Sequence, residues 1–237
     1  MSSSLQPITL YAHGHSPNPV KVAIILEELG LPYKKVNLDG PALKQEPFIS
    51  INPNGRAPAI EDPNTGITLW ESGAIIQYLV ETYDAEHHKL SYPATAVREY
   101  HQLNQWLMFQ VSGQGPYFGQ ATWFLFFHPE KLPSAIERYL NEIERVTGVL
   151  DSWLAKHEFL VGDKVTYADL SFVPYAALVA KVPILNRDGK LFVAEGEEGG
   201  EKKEKYPAYT KWLDTLMARP AVSKVMEQFA AAAASIH

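Results

Sequence analysis

Apolar positions in the first third of the chain switch between short runs and helical spacing. Ile8–Ala12 is a compact, mostly apolar run, the pattern of a buried strand. The turn Ser16-Pro17-Asn18-Pro19 follows, and Val22, Ile25, Leu26 and Leu29 then recur on one helical face. This spacing predicts a helix with Asn18 as its N-cap, Pro19 at the first helical position and Gly30 as its stop. Residues 33–38 alternate as a second strand. Residues 57–61 and 67–70 flank the turn Asp62-Pro63-Asn64-Thr65-Gly66 and predict a β-hairpin. Ser72 is placed to cap a helix that carries Ile75, Ile76 and Leu79 on one side.

From about residue 94 the pattern is helical. Leu103, Trp106, Leu107 and Gln110 open one long helix, and Ile136, Leu140, Ile143, Val146, Leu150 and Trp153 keep the spacing over several turns of another. Thr166-Tyr167-Ala168-Asp169 has the form of a capping box, with Val165 and Leu170 spaced as its hydrophobic staple. Tyr209, Trp212, Leu213 and Leu216 mark a further helix, stopped near Pro220. Residues 186–205 are rich in Gly, Glu and Lys and read as a mobile, solvated loop. The boundary is expected near residues 85–93, with an α/β domain over residues 5–86 and an all-α domain over residues 94–237. The order βαβ then ββα makes the first domain thioredoxin-like, a sheet covered by helices.

Composition narrows the function classes. A chain of 237 residues can build two cores, and 46% hydrophobic with 20% charged residues is ordinary for a globular protein in water. A formal net charge of -6 argues against a nucleic-acid or anionic-membrane surface, while leaving room for a local basic pocket. No apolar run reaches the roughly 18 residues needed to cross a bilayer. The segment Met1-Ser2-Ser3-Ser4-Leu5-Gln6-Pro7 lacks the regions of a signal peptide, so the expected compartment is the cytosol. With 0 cysteines, disulfides, thiolate metal sites and Cys-x-x-Cys redox pairs are impossible. Any sulfur chemistry must use sulfur that a ligand brings.

Two segments concentrate candidate binding groups. In Arg56-Ala57-Pro58-Ala59-Ile60, a strand-edge backbone stands beside a proline whose isomer the sequence leaves open. An extended ligand could pair with the Ala57 N–H and C=O as an added strand. In Trp70-Glu71-Ser72-Gly73-Ala74, the Ser72 hydroxyl and helix amides suit a carboxylate and Glu71 suits an ammonium. Together these groups would hold a small peptide-like ligand by its backbone and its free amino-acid end; helix capping explains Glu71 and Ser72 equally well. Lys44, with Gln45 or Arg56 as weaker choices, could meet a second carboxylate. Donors near the first helix are Tyr11, Ser16, Asn18 and backbone amides. Tyr11 reads as core, His13 and His15 as surface residues, and no metal-ligand spacing surrounds them, so no metal is expected. Gln110, Ser112, Gly113, Gln114, Tyr117, Trp123 and Phe127 combine small polar and aromatic groups where a second ligand could lie, although packing accounts for Trp123 and Phe127 as well.

Taken together, these segments resemble the cytosolic glutathione transferases over nearly the whole chain, with the nearest likeness to the fungal class related to the yeast nitrogen-catabolite regulator and prion protein. The likeness rests on five motifs in order. They are Ser16-Pro17-Asn18-Pro19-Val20-Lys21-Val22, Asn52-Pro53-Asn54-Gly55-Arg56-Ala57-Pro58-Ala59, Trp70-Glu71-Ser72-Gly73-Ala74-Ile75, Trp106-Leu107-Met108-Phe109-Gln110-Val111-Ser112-Gly113-Gln114, and residues 161–170. The resemblance implies a thioredoxin-like domain followed by the family's all-helical C-terminal domain. It implies glutathione as co-substrate, no metal, a small electrophilic second substrate, a role in detoxification and a homodimer. Ala57 would bind the cysteinyl backbone, Glu71 and Ser72 the γ-glutamyl end, and Asn18 would lie near the sulfur, with Ser16 a close second.

Two departures from the class stand out. Lys44 occupies the neighbourhood where the class often has a histidine for the glycine carboxylate, and the Gln/Asn-rich arm of the yeast regulator has no counterpart. The leading expectation is a transferase that activates the glutathione thiol for attack on electrophiles. Glutathione-dependent reduction of disulfides or hydroperoxides is the alternative reaction, and a non-catalytic glutathione-binding regulator the alternative class.

Overall fold

The computed structural model describes residues 5–14, 16–182, 185–187 and 204–234. His15 and residues 188–203 of the expected loop lie outside them. The described residues fall into two compact units, one running to Tyr100 and resuming at Met217, the other from His101 to Leu216.

The first unit is built on four strands, β1 (Ile8–Ala12), β2 (Tyr33–Asn37), β3 (Ala59–Asp62) and β4 (Ile67–Trp70), in the order β2-β1-β3-β4. β1 pairs parallel with β2, and β3 pairs antiparallel with both β1 and β4. Ile8, Leu10 and Ala12 alternate into the core at 1% exposure or less, as their period requires. Helix α1 (Pro17–Leu29) ends at Gly30, whose φ of 67° is the left-handed stop expected of it. A short 3-10 turn (Ala42–Lys44) and the one-turn helix α2 (Phe48–Ile51) link β2 to β3; both are too short to leave a periodic signal. Helix α3 (Ser72–Tyr83) follows β4.

Three local expectations are corrected. α1 begins two residues early: Ser16, with extended φ −65° and ψ 125°, is the N-cap, and Pro17 rather than Pro19 takes the first position. Either proline fits a first turn, because its missing N–H is one the helix does not use there. Glu71, not Ser72, is the N-cap of α3, and its carbonyl accepts the Ile75 N–H at 2.9 Å. Finally, β3 is an interior strand, not an edge. Its pairing stops at Ala59, so Pro58 precedes the ladder and its missing N–H costs no sheet bond.

The first unit is completed by α9 (Pro220–Ala234), a helix not anticipated from the sequence, which packs on α1. The second unit takes α4 (Val97–Phe109) from residue 101 onward, with α5 (Gly115–Thr122), α6 (Pro133–Leu154), α7 (Tyr167–Lys181) and α8 (Pro207–Met217). π-helical turns at Gln110–Gln114 and Trp123–Phe127 precede and follow α5. The capping box at Thr166 and Asp169 forms as its spacing predicts. Asp169, fully buried, also accepts the Leu160 N–H and the Trp212 indole N–H, both at 2.9 Å.

Candidate functional site

Sheet register assembles the site. Tyr11 pairs with Ala59, and Ala59 with Trp70. Because β3 runs opposite to β1 and β4, the end of β1, the start of β3 and the end of β4 share one end of the sheet. Ser16 and Asn18 follow β1, Ala57 and Pro58 precede β3, and Glu71 and Ser72 follow β4. Six of the residues singled out in the sequence are therefore brought to one edge of the first unit.

At the start of α1 the sequence strips away donors until one residue is left. The first four N–H groups of a helix have no intrahelical acceptor. Pro17 and Pro19 have no N–H at all, and the Ser16 N–H is taken by the His13 carbonyl at 3.1 Å. Among the described residues, only the Asn18 N–H at the start of α1 is left without an acceptor. The half-buried Asn18 side chain makes no hydrogen bond among the described residues, and the Ser16 hydroxyl does not cap the helix. Tyr11 is not a competing donor. Its hydroxyl donates to Glu61 at 2.5 Å, and burial together with that carboxylate pushes it up to about 12. The His13 ring nitrogen Nδ1 is bonded to the Leu38 carbonyl at 2.8 Å.

The loop before β3 is held from inside. Asn52, 1% exposed, donates its amide to the Arg56 carbonyl at 2.5 Å and accepts the Asn54 N–H at 2.9 Å. Leu43, Phe48 and Ala59 form a small core beneath, with Tyr11 and Ala57 packed against it. The Ala57–Pro58 bond is cis. Ala57 lies two residues outside the ladder, so the sheet makes no claim on its backbone groups. Gly55 has φ +61°, and a Cβ there would stand 2.8 Å from the Leu43 carbonyl oxygen and 3.0 Å from Lys44 Cδ. That close approach carries the exposed Lys44 to the loop, where its Nζ reaches the Asn54 carbonyl at 3.4 Å. Lys44 is thus placed with the site, whereas the exposed Arg56 guanidinium makes no hydrogen bond or ion pair among the described residues and is joined to it only through its backbone.

Glu71 has φ 70° and ψ 113°, sparsely populated for any residue but glycine. The next three backbone N–H groups open the 12-residue helix α3, where the macrodipole favours an anion. Ser72 is 5% exposed. On α1, Lys21 does not stand out in the sequence as a candidate. Lys21 is 1% exposed on the inward face of α1, among Val20, Val22 and Ile25. Burial pushes its ammonium down to about 7, against the opposing pull of the Glu71 carboxylate. A signal was available, since Lys21 stands one turn before Ile25 in the apolar stripe of α1.

In the second unit the π-helical turns hold the other candidate group. Gln110, Gly113 and Gln114 are buried, and Gln110 donates to Gln114 at 3.0 Å. Trp123 and Phe127 are 48% and 65% exposed and stack with centroids 6.0 Å apart, so core packing does not explain them.

Residues 6–81 match the family model described as glutathione S-transferase, N-terminal domain, and residues 116–220 match its C-terminal domain. The glutathione S-transferase-like protein tpcF of Aspergillus fumigatus is 48% identical over 230 residues, covering 94% of this chain and 96% of the relative. The glutathione transferase URE2P6 of Phanerochaete chrysosporium, solved with oxidized glutathione, is 49% identical with a TM-score of 0.82, covering 98% of this chain and 100% of that one. Ure2p5 of the same fungus, cocrystallized with 1-(S-glutathionyl)-2,4-dinitrobenzene, is 40% identical with a TM-score of 0.82, and each chain covers 100% of the other.

Proposed function

The chain belongs to the glutathione S-transferase family, among its Ure2-like fungal members, and from that premise we propose that it ionises the glutathione thiol at the start of α1 for attack on electrophiles. The observation that carries the proposal is the end of the sheet described above: a peptide-pairing backbone at Ala57, an acid and a helix N-terminus at Glu71 and Ser72, and an unengaged amide at Asn18. In this reading the γ-glutamyl ammonium meets Glu71 and its carboxylate meets Ser72 and the first amides of α3. The cysteinyl backbone pairs with Ala57, and the glycine carboxylate meets Lys44.

The chemical requirement is modest. Lowering a thiol pKa by about 2 units takes roughly 2.7 kcal/mol of preference for the thiolate. A charge-assisted hydrogen bond supplies on the order of 1.5–3 kcal/mol, and the helix N-terminus roughly 0.3–1 kcal/mol more. Asn18 offers both its side-chain amide and the one open N–H, so it is the principal donor, with the Ser16 hydroxyl second. No general base is needed, because the thiol proton leaves to water. The thiolate then attacks the electrophilic carbon, the S–C bond forms, and the leaving group departs with its electron pair.

The conjugate bound by Ure2p5 is what this reaction makes from 1-chloro-2,4-dinitrobenzene, with chloride released. Calorimetry with reduced glutathione and absorbance at the conjugate band test the two halves of the proposal. Measurable heat with turnover supports it; no heat from folded protein sinks it.

A second reaction is favoured by the oxidized glutathione held by URE2P6. A bound glutathione thiolate attacks a mixed disulfide, forming glutathione disulfide and releasing the other thiolate. Coupling to glutathione reductase with a small disulfide substrate measures it.

A further inference from the structure

His13 is not among the groups assigned to glutathione above, yet two hydrogen bonds join it to the turn that presents Asn18. Its ring Nδ1 lies 2.8 Å from the Leu38 carbonyl oxygen, and its own carbonyl accepts the Ser16 N–H at 3.1 Å. A carbonyl can only accept, so the Leu38 contact puts the hydrogen on Nδ1 and leaves Nε2 bare in the neutral ring. The bond also survives protonation, because an imidazolium donates from both nitrogens.

Leu38 is a fixed anchor. It follows β2 directly, its N–H donates to the Ala12 carbonyl at 2.9 Å, and it packs against the small core of Leu43, Phe48 and Ala59. His13 carries that anchorage toward α1. Gly14, at φ 44°, lets the chain turn back so that Ser16 meets His13. Among the described residues, no other hydrogen bond ties this turn to the sheet. The Ser16 hydroxyl does not cap the helix, and Pro17 and Pro19 have no N–H to give. The body of α1 is held separately, by Val22, Ile24 and Leu26 at 0% exposure. Loss of the half-buried His13 ring would therefore loosen the first turn without unseating the helix.

We propose that His13 is a positioning residue for thiol ionisation, its Nδ1–H fixing the β1–α1 turn on Leu38 so that the Asn18 amide and N–H stay aimed at the glutathione sulfur. This rests on the reading of the site above and adds a residue to its sulfur side.

The test follows thiolate absorbance of bound glutathione against pH in His13→Ala, His13→Asn and His13→Gln. The asparagine amide nitrogen stands as many bonds from the backbone as Nδ1 of histidine, whereas the glutamine amide reaches toward the place of Nε2. His13→Ala and His13→Gln should raise the bound thiol pKa by about 0.5–1 unit, the roughly threefold to tenfold worth of one hydrogen bond, and His13→Asn should restore most of it. Near neutral pH, kcat with 1-chloro-2,4-dinitrobenzene should fall in step with the thiolate fraction. Calorimetric affinity for S-methylglutathione, which has no thiol to ionise, should stay at the wild-type value. Beside Asn18→Ala, the shift caused by His13→Ala should shrink, because most of its effect passes through that side chain.

Wild-type protein that gives no heat with S-methylglutathione overturns the reading of the site and this role with it. Wild type that binds and ionises the thiol, with His13→Ala titrating at the same pH, overturns the role of His13 alone. So does a shift that His13→Asn fails to reverse, or one that persists undiminished beside Asn18→Ala. Should His13→Ala not fold, His13→Asn against His13→Gln makes the same comparison, and equal titrations in those two overturn the role.

Discussion

Arg219, at the start of α9, grips Glu28 of α1 with two hydrogen bonds of 2.6 and 2.7 Å across 191 residues of sequence. Glu28 is 6% exposed, and Lys89 Nζ stands 3.5 Å from its Oε2. Burial would raise the Glu28 carboxyl, but the hydrogen bond and charge of Arg219, helped by Lys89, hold it below the usual range. A depressed carboxyl contributes stability above its unfolded pKa of about 4.3 and loses it as pH falls through the folded value. Arg219→Ala should cost about 3–5 kcal/mol near neutral pH by leaving the carboxylate under-compensated. Denaturant midpoints measured down the acid range should show the difference from wild type shrinking.

Asn18→Ala should raise the pKa of bound glutathione sulfur by about 1 unit or more, equivalent to about 1.4 kcal/mol. Ser16→Ala should move it less, because the Asn18 N–H and amide both survive. Thiolate absorbance followed against pH in the bound state decides between them. An unmoved titration in Asn18→Ala with a shifted one in Ser16→Ala would reverse the assignment.

Gly55→Ala places a Cβ against backbone at 2.8 Å and imposes a side chain on φ +61°. Strain of on the order of 1–3 kcal/mol should push Lys44 and the Asn54 carbonyl from their places. KM for glutathione should rise severalfold while kcat with 1-chloro-2,4-dinitrobenzene changes little, since the sulfur-side donors are untouched. Steady-state kinetics with glutathione varied give both numbers.

Lys21→Met carries an opposite signature in stability. The Lys21 ammonium titrates at about 7 in the fold and near 10.4 when unfolded, so the native state holds fewer protons in between. Wild-type stability should therefore climb as pH rises from about 7 to about 10, and Lys21→Met should lack that climb. At about pH 6 the variant should be the more stable protein, by roughly 1–4 kcal/mol. Denaturant unfolding at the two ends of the range tests this.

In the second unit, Asp169→Ala removes one acceptor from the Leu160 N–H, the Thr166 N–H and hydroxyl, and the Trp212 indole. Several buried donors would lose their partner together, at about 3–5 kcal/mol in all. Loss of the cooperative unfolding transition, or a much lower denaturant midpoint, is the expected result.

The sequence makes some of this molecule readable and hides the rest for physical reasons. β1, β4 and α6 follow from period, and Gly30 and the Thr166–Asp169 box from local cap chemistry. The start of α1 is ambiguous because two prolines two residues apart satisfy the same rule. Glu71 and Ser72 were found as a pair, but which of them caps α3 depends on a backbone angle that composition does not encode. The place of β3 inside the sheet is a matter of long-range pairing, which local pattern cannot reveal. α9 is not legible because Pro220 reads as a stop for α8 when it opens a new helix. Lys21 does not stand out because a single lysine normally reads as solvent-facing, and only three-dimensional burial shows otherwise.

The return of α9 to α1 has a consequence for biosynthesis. Nascent chains usually fold their leading domain first, as a finished unit, while the remainder is still being translated. Here Glu28 must wait for Arg219, so α1 leaves the ribosome well before the helix that completes its contacts. Proteolytic clipping or bulky fusions placed after Met217 are therefore expected to disturb the unit that holds the sheet.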